Sequence, residues 1–424
     1  MTRAEAFRVG SAGLFLVSVF YGYVWIGVTL PLSMLVLPFV FVAHFDRDVT
    51  SNIPRGALLL LGMTIPVGVQ ALSGRPLQGK PDAVVFLSVV YAVFTAIALR
   101  RVELSDRQLR SSLEIGGVVT CAVMLATVIF LPPGRFLIPG QDALRTQQLY
   151  RDALKERSRE TLPAEGVTDT DADDDSPEEL RRFDRRATAA EAALYEDKAV
   201  VRSALGRSNT IAWYLVFLFS TCFFAGSWWL AALFAAAALA TLTRFAVVFV
   251  IGIVAMWIAW RRGVGLWTLA ALSLAAGAAG MAVILALKHA QVVLPISLDA
   301  RAWYWTSALE VVANHPLIGS PRSDILDTFD LSIVWTPCNG ALWVAAVTGV
   351  VGAAFYFGFV WVALAEMRRM ATTSRLWAGL FVGFVTLLTW SLFEPITLTP
   401  TFDVLLAAHY AVARRARGAS GFGA

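Results

Sequence analysis

The sequence predicts an all-α integral membrane protein of about twelve transmembrane helices with two large segments on the outer side. Three observations carry that expectation. Of 424 residues, 57% are hydrophobic and 16% charged, with a mean hydropathy of +0.65, and a soluble chain of this length needs far more polar surface to cover itself. Apolar runs recur along the chain, most of them near the ~17–20 residues that a helix needs to cross a bilayer. Arginines gather in alternate connections between those runs, which is how a polytopic chain is oriented in a membrane.

The runs are 9–28, 30–44, 56–72, 83–99 and 116–131, then, after a long polar interval, 211–226, 228–242, 245–260, 266–287, 341–365, 376–392 and 402–413. With the N-terminus inside, the inner connections are 45–55, 100–110, the turn at Gly226, 261–262, 366–375 and the tail from Arg414. Arg100, Arg101, Arg107 and Arg110 share one of them, Arg368, Arg369 and Arg375 another, and Arg414, Arg415 and Arg417 close the chain. The outer short connections are sparse in Lys and Arg, so both termini are expected on the cytoplasmic side. The stretch 211–260 must hold two or three spans. Two would move Arg261 and Arg262 outside and invert every later loop, so three are expected. The basic N-terminus ahead of the first run reads as a retained signal anchor.

The resulting organisation is a five-span region (1–134), an outer helical hairpin with an acidic linker (135–208), a four-span region (209–287), a second outer segment (288–340) and a three-span region (341–424). The hairpin expectation rests on helical patterns at 141–160 and 177–205 flanking the acidic run DTDADDDSP. Its many arginines are compatible with an outer location, because long loops largely escape the charge rule.

Several chemistries are disfavoured. Three scattered cysteines and four dispersed histidines give neither a disulfide framework nor metal-ligand spacing. No nucleotide or zinc motif stands where a site would need it. The small net charge of +4 is distributed as an orientation signal, and nucleic acid is not an expected partner. No cofactor is expected.

Three pieces of sequence are candidates for chemistry. Arg244 interrupts the apolar stretch TLTRFAVVFVIGIVAMWIAW, and a guanidinium at depth is costly unless paired or hydrated. Counting ~1.5 Å per residue back from Arg261 puts it about 25 Å from the inner boundary. It is either an interfacial residue reaching outer headgroups or, the favoured reading, an anion ligand at the bottom of an outward-facing cavity. The second piece runs from Arg301 through Trp303, Tyr304 and Trp305 to Glu310, and then to His315-Pro316-Leu317-Ile318-Gly319. On a helix, Arg301, Trp305 and Ala308 share a face, which would hold the arginine against the membrane surface on an aromatic shelf; an amphipathic interfacial helix without function fits equally. The third is Pro337-Cys338-Asn339-Gly340, leading into a run with Gly349 and Gly352. Capping is the plain explanation for Asn339, and close helix contact explains the glycines better than chemistry does.

In this order the pieces resemble the O-antigen ligase and polymerase superfamily of bacterial cell-surface polysaccharide assembly. The residues that carry the resemblance are Thr243-Arg244, Arg301 with Trp305, Ala308 and Leu309, Pro316-Leu317-Ile318-Gly319, and Asn339 with Leu342, Gly349 and Gly352; Gly206-Arg207-Ser208-Asn209 also looks like a family segment. It covers about 206–352, roughly a third of the chain. The resemblance implies a GT-C-like membrane fold in the bacterial inner membrane, with 135–208 and 288–340 periplasmic. It implies a donor oligosaccharide on undecaprenyl pyrophosphate, a glycan or glycolipid acceptor, and metal-independent, inverting transfer. Arg244 and Arg301 would bind the two phosphates, Arg207 and Arg322 the rim, and Trp305, His315 and Asn339 the substrates. Cys338 stands where the family usually has His, and a neutral thiol is a poor proton acceptor for a sugar hydroxyl. His315 or His289 are alternatives, as are Asp324, Asp327 and Glu310. The change leans the reading toward a repeat-unit polymerase. A ligase to lipid A core, a lipid-linked sugar transporter or flippase, and a structural subunit that binds a partner through the outer hairpin remain the alternatives.

Overall fold

The computed structural model describes residues 3–21, 23–25, 29–44, 54–72, 79–130, 208–241, 243–292, 294, 296–320, 339–394 and 396–420. The outer hairpin, apart from its last position, lies outside them, as do Arg207, Arg322, Asp324, Asp327 and Cys338. Fourteen α-helices are present among the described residues: α1 Arg3–Tyr21, α2 Leu32–His44, α3 Arg55–Gly62, α4 Thr64–Leu72, α5 Gly79–Ala98, α6 Asp106–Phe130, α7 Ser208–Ala225, α8 Trp228–Ala240, α9 Arg244–Arg261, α10 Leu266–His289, α11 Ile296–Asn314, α12 Gly340–Met370, α13 Arg375–Trp390 and α14 Pro400–Ser420. The only described strands are two of three residues, Tyr23–Trp25 and Thr29–Pro31, paired antiparallel with Val24 opposite Leu30.

Among the described residues, four helices are long and apolar enough to cross a membrane: the Asp106–Ala126 part of α6, α9, α10 and α12. Others are apolar but shorter. At ~1.5 Å per residue, the 13 residues of α8 reach about 20 Å, against a hydrocarbon core of ~30 Å. Large apolar side chains such as Val248, Ile251 and Leu272 stand exposed on α9 and α10, as lipid-facing surfaces require. In contrast, α13 is buried on every side from Leu376 to Trp390, and a helix apolar all round belongs at the centre of a bundle. Its Gly379 and Gly383 let α7 approach closely. A Cβ at Gly379 would lie 3.0 Å from the Ser220 carbonyl and from the Thr221 Cα, and the Ser220 hydroxyl donates to the Gly379 carbonyl at 2.9 Å. This is small-xxx-small packing, in which backbones touch.

Two apolar runs are divided differently from the sequence expectation. The run 9–28 ends its helix at Tyr21, and the β-prone Tyr23, Val24, Trp25 and Thr29 pair as strands instead. The run 56–72 breaks at Met63 into α3 and α4. Pro66 explains the break: its ring would collide with the Gly62 carbonyl in a continuous helix, and it has no N–H to donate there. The stretch 208–261 forms three helices, one for each of the three apolar runs expected there, with the first turn made at Gly226 (φ +82°).

The arginine-rich connections converge at one end of the bundle. Arg415 pairs with Glu103, the Trp377 indole donates to Asp106 at 3.0 Å, and Arg110 donates to Ser227 at 2.5 Å. The Gly56 amide donates to the Tyr410 hydroxyl, and Trp260, beside Arg261, packs on Phe224. The opposite end lies about 24 Å away along the 16 residues of α13.

Candidate functional site

That opposite end is organised by the turn after α13. Its residues Ser391–Glu394 are tied to four other elements. The Gly340 amide donates to the Ser391 carbonyl at 2.5 Å. Asn339 caps α12, its Oδ1 accepting from the Leu342 amide at 2.9 Å. The same side chain donates from Nδ2 to the Leu392 carbonyl (2.8 Å) and to the Met281 thioether of α10 (3.0 Å). Asn339 is fully buried, and its amide is spent on joining α10, α12 and the turn. Its geometry is that of a brace for the site.

Arg301 comes to this turn from α11. Its Nε donates to the Phe393 carbonyl at 3.2 Å and its Nη2 to Glu394 Oε1 at 2.6 Å. The two side chains are only 17% and 13% exposed, so water screens the pair weakly and the guanidinium plane is held in one orientation. The guanidinium carbon also lies 5.6 Å from the centre of the Phe245 ring, a cation–π distance. Phe245 packs at a tilt against Phe393 and Trp390, and Phe249 stacks on Trp390 at 4.9 Å.

Phe245 fixes the relation to Arg244, its chain neighbour, which opens α9 and is exposed. Arg244 and Arg301 therefore belong to the same end of the bundle. Arg244 begins a helix, a position where a cation opposes the macrodipole. Helix stability does not account for it; an anion bound there would be favoured by the guanidinium and by the first-turn N–H groups together.

The face of α11 that carries Arg301, Trp305 and Ala308 is its buried face, packed into protein and not laid on a membrane surface as the sequence suggested. Trp305 is fully buried, edge-on to Phe393 at 5.9 Å. Trp303 is half-buried and Glu310 exposed. His315 lies fourteen residues beyond Arg301, about 20 Å along the helix. The structure does not bring it to the Arg301 turn, and His289 is exposed at the last position of α10. Among the described residues no three His, Cys, Asp or Glu converge as a metal group would need.

Behind the turn stands a buried polar network. The Tyr356 hydroxyl accepts from the Leu398 amide (3.0 Å) and donates to Asp403 Oδ1 (2.5 Å), and the Ser88 hydroxyl donates to Asp403 Oδ2 (2.8 Å). Beside it, α12 is broken at Gly349 (φ +63°, ψ −172°). The groups released by the break are met from the segment after His315. The Val350 and Val351 amides donate to the Pro316 and Leu317 carbonyls, and the Ser320 amide donates to Ala346. Gln70 donates to both Ile318 and Val347. Buried backbone that leaves a helix must find such partners. Thus Pro316–Gly319 and Gly349, read from sequence as separate pieces, form one backbone contact.

Glu394, the partner of Arg301, is the candidate-site residue that the sequence alone does not single out. Its signal in the sequence is a lone carboxylate just after the apolar run 376–392.

No protein-family model and no curated protein matches the chain.

Proposed function

We propose that the chain is a twelve-span glycosyltransferase of the bacterial inner membrane. It would transfer an oligosaccharide from undecaprenyl pyrophosphate to an acceptor sugar hydroxyl at the periplasmic face, with a repeat-unit polymerase the preferred form. The observation that carries this reading is Arg301, locked by Glu394 and Phe393 beside the helix start that bears Arg244. The arginine-rich end would be cytoplasmic by the positive-inside rule, which puts the Arg301 turn outside. All twelve apolar runs then cross, the short ones in a locally thinned bilayer.

In this reading the acceptor hydroxyl attacks the anomeric carbon opposite the pyrophosphate. The new C–O bond forms as the bond to the pyrophosphate oxygen breaks, the acceptor proton passes to a protein base, and the anomeric configuration inverts. Negative charge grows on the departing oxygen, and preoriented guanidinium groups stabilise it better than mobile ones or water can. Glu394 serves as a positioning residue for Arg301 and Asn339 as a brace for the turn, while Arg207, Arg322 and Cys338, outside the described residues, are kept as candidate groups from the sequence.

The helix break at Gly349 favours a second reading, a lipid-linked sugar transporter, because transporters commonly use discontinuous helices. Its backbone groups, however, are bound by Pro316, Leu317, Ser320 and Gln70. Reconstituted protein with lipid-linked oligosaccharide separates the two. Longer glycans on the lipid, lost in Arg301→Ala, support transfer by a polymerase; lipid movement between leaflets without a new glycosidic bond contradicts it.

A further inference from the structure

At the arginine-rich end a cleft of about 530 Å³ opens between the start of α6 and the start of α13, lined by Asp106, Arg107, Arg110, Glu114, Ser374 and Arg375. Its two carboxylates are occupied within the protein. Asp106 accepts from the Trp377 indole, and Glu114 accepts from Arg110 at 2.8 Å and from Ser227 at 2.6 Å. Arg107 and Arg375 are exposed and have no acidic partner among the described residues. Arg375 also begins α13, where a cation opposes the helix dipole, and the Ser374 side chain makes no cap to that helix. The two arginines thus line one cleft together with the start of α13, a combination that favours an anion. A separate observation gives its level in a bilayer. Trp228 and Trp229, next to Ser227 of the same network, are 52% and 91% exposed, and indoles so exposed beside apolar helices mark the headgroup zone.

We propose that this cleft binds the phosphate diester of an anionic phospholipid, with Arg107 and Arg375 on the phosphate oxygens, Arg110 held ready by Glu114, and the acyl chains running down past Trp228 and Trp229. The site is independent of the glycosyltransferase reading, since it lies at the other end of the bundle.

The test uses the full-length protein in neutral detergent, titrated separately with phosphatidylglycerol, phosphatidylcholine and inorganic phosphate while thermal unfolding is followed. Phosphatidylglycerol should raise the midpoint saturably, and the other two should not. The double variant Arg107→Gln/Arg375→Gln should weaken that effect about tenfold or more. Arg107→Lys/Arg375→Lys should keep most of it, which separates lost charge from lost fold. Equal responses to phosphatidylglycerol and phosphatidylcholine, an equal response to inorganic phosphate, or wild-type binding by the Gln variant would each overturn the proposal.

Discussion

Arg301 reaches Glu394 across 93 residues of chain, at 2.6 Å and nearly out of water. Because the pair is desolvated, removing one member strands the other. Arg301→Met and Glu394→Met alone should each destabilise by ~3 kcal/mol, and the double variant by clearly less than their sum. Unfolding of the four proteins in a double-mutant cycle measures this. Additive losses would mean the pair is not coupled.

Asn339 carries the junction between α10, α12 and the turn. Asn339→Ala should cost ~2 kcal/mol, since it removes a helix cap and leaves the half-buried Leu392 carbonyl without its donor. Asn339→Asp keeps an acceptor for the Leu342 amide and removes both donors, so it should also destabilise. Thermal midpoints of both variants check the assignment.

At Gly349 the backbone itself is the constraint. A Cβ there would lie 2.3 Å from the Leu317 carbonyl carbon, and one at Gly319 would lie 2.5 Å from the Gly349 nitrogen. Both positions have positive φ. Gly349→Ala should cost more than ~3 kcal/mol, seen as poor expression or early unfolding. Gly68→Ala, in a position with open space around it, serves as the tolerant control.

Gly379→Leu should separate α13 from α7, because the added side chain meets backbone atoms that cannot turn aside. A loss of ~3 kcal/mol or more is expected. Gel filtration and thermal unfolding would report it.

Much of this architecture is legible in the sequence, because hydropathy and arginine placement act over whole segments. The three helices across 208–261 correspond to three apolar runs in the sequence. The helical face of Arg301, Trp305 and Ala308 follows from spacing. Which way that face turns does not, since an aromatic, basic stripe suits a membrane surface as well as a protein groove, and only the 391–394 turn decides between them. Glu394 was passed over because its meaning depends on a partner far away in the chain. The Gly349 break was read as close contact because a helix and a broken helix share the same apolar pattern; the partners that make the break affordable, Pro316 and Gln70, are visible only in three dimensions. Pro66, by contrast, is a local signal that divides the run 56–72 from sequence alone.

The most direct test of the diphosphate site compares binding of undecaprenyl pyrophosphate and undecaprenyl phosphate to purified wild-type protein, Arg244→Ala and Arg301→Ala. The account predicts tighter binding of the pyrophosphate by wild type and loss of that preference in each variant. Equal binding of the two lipids, or a preference unchanged in both variants, would contradict it.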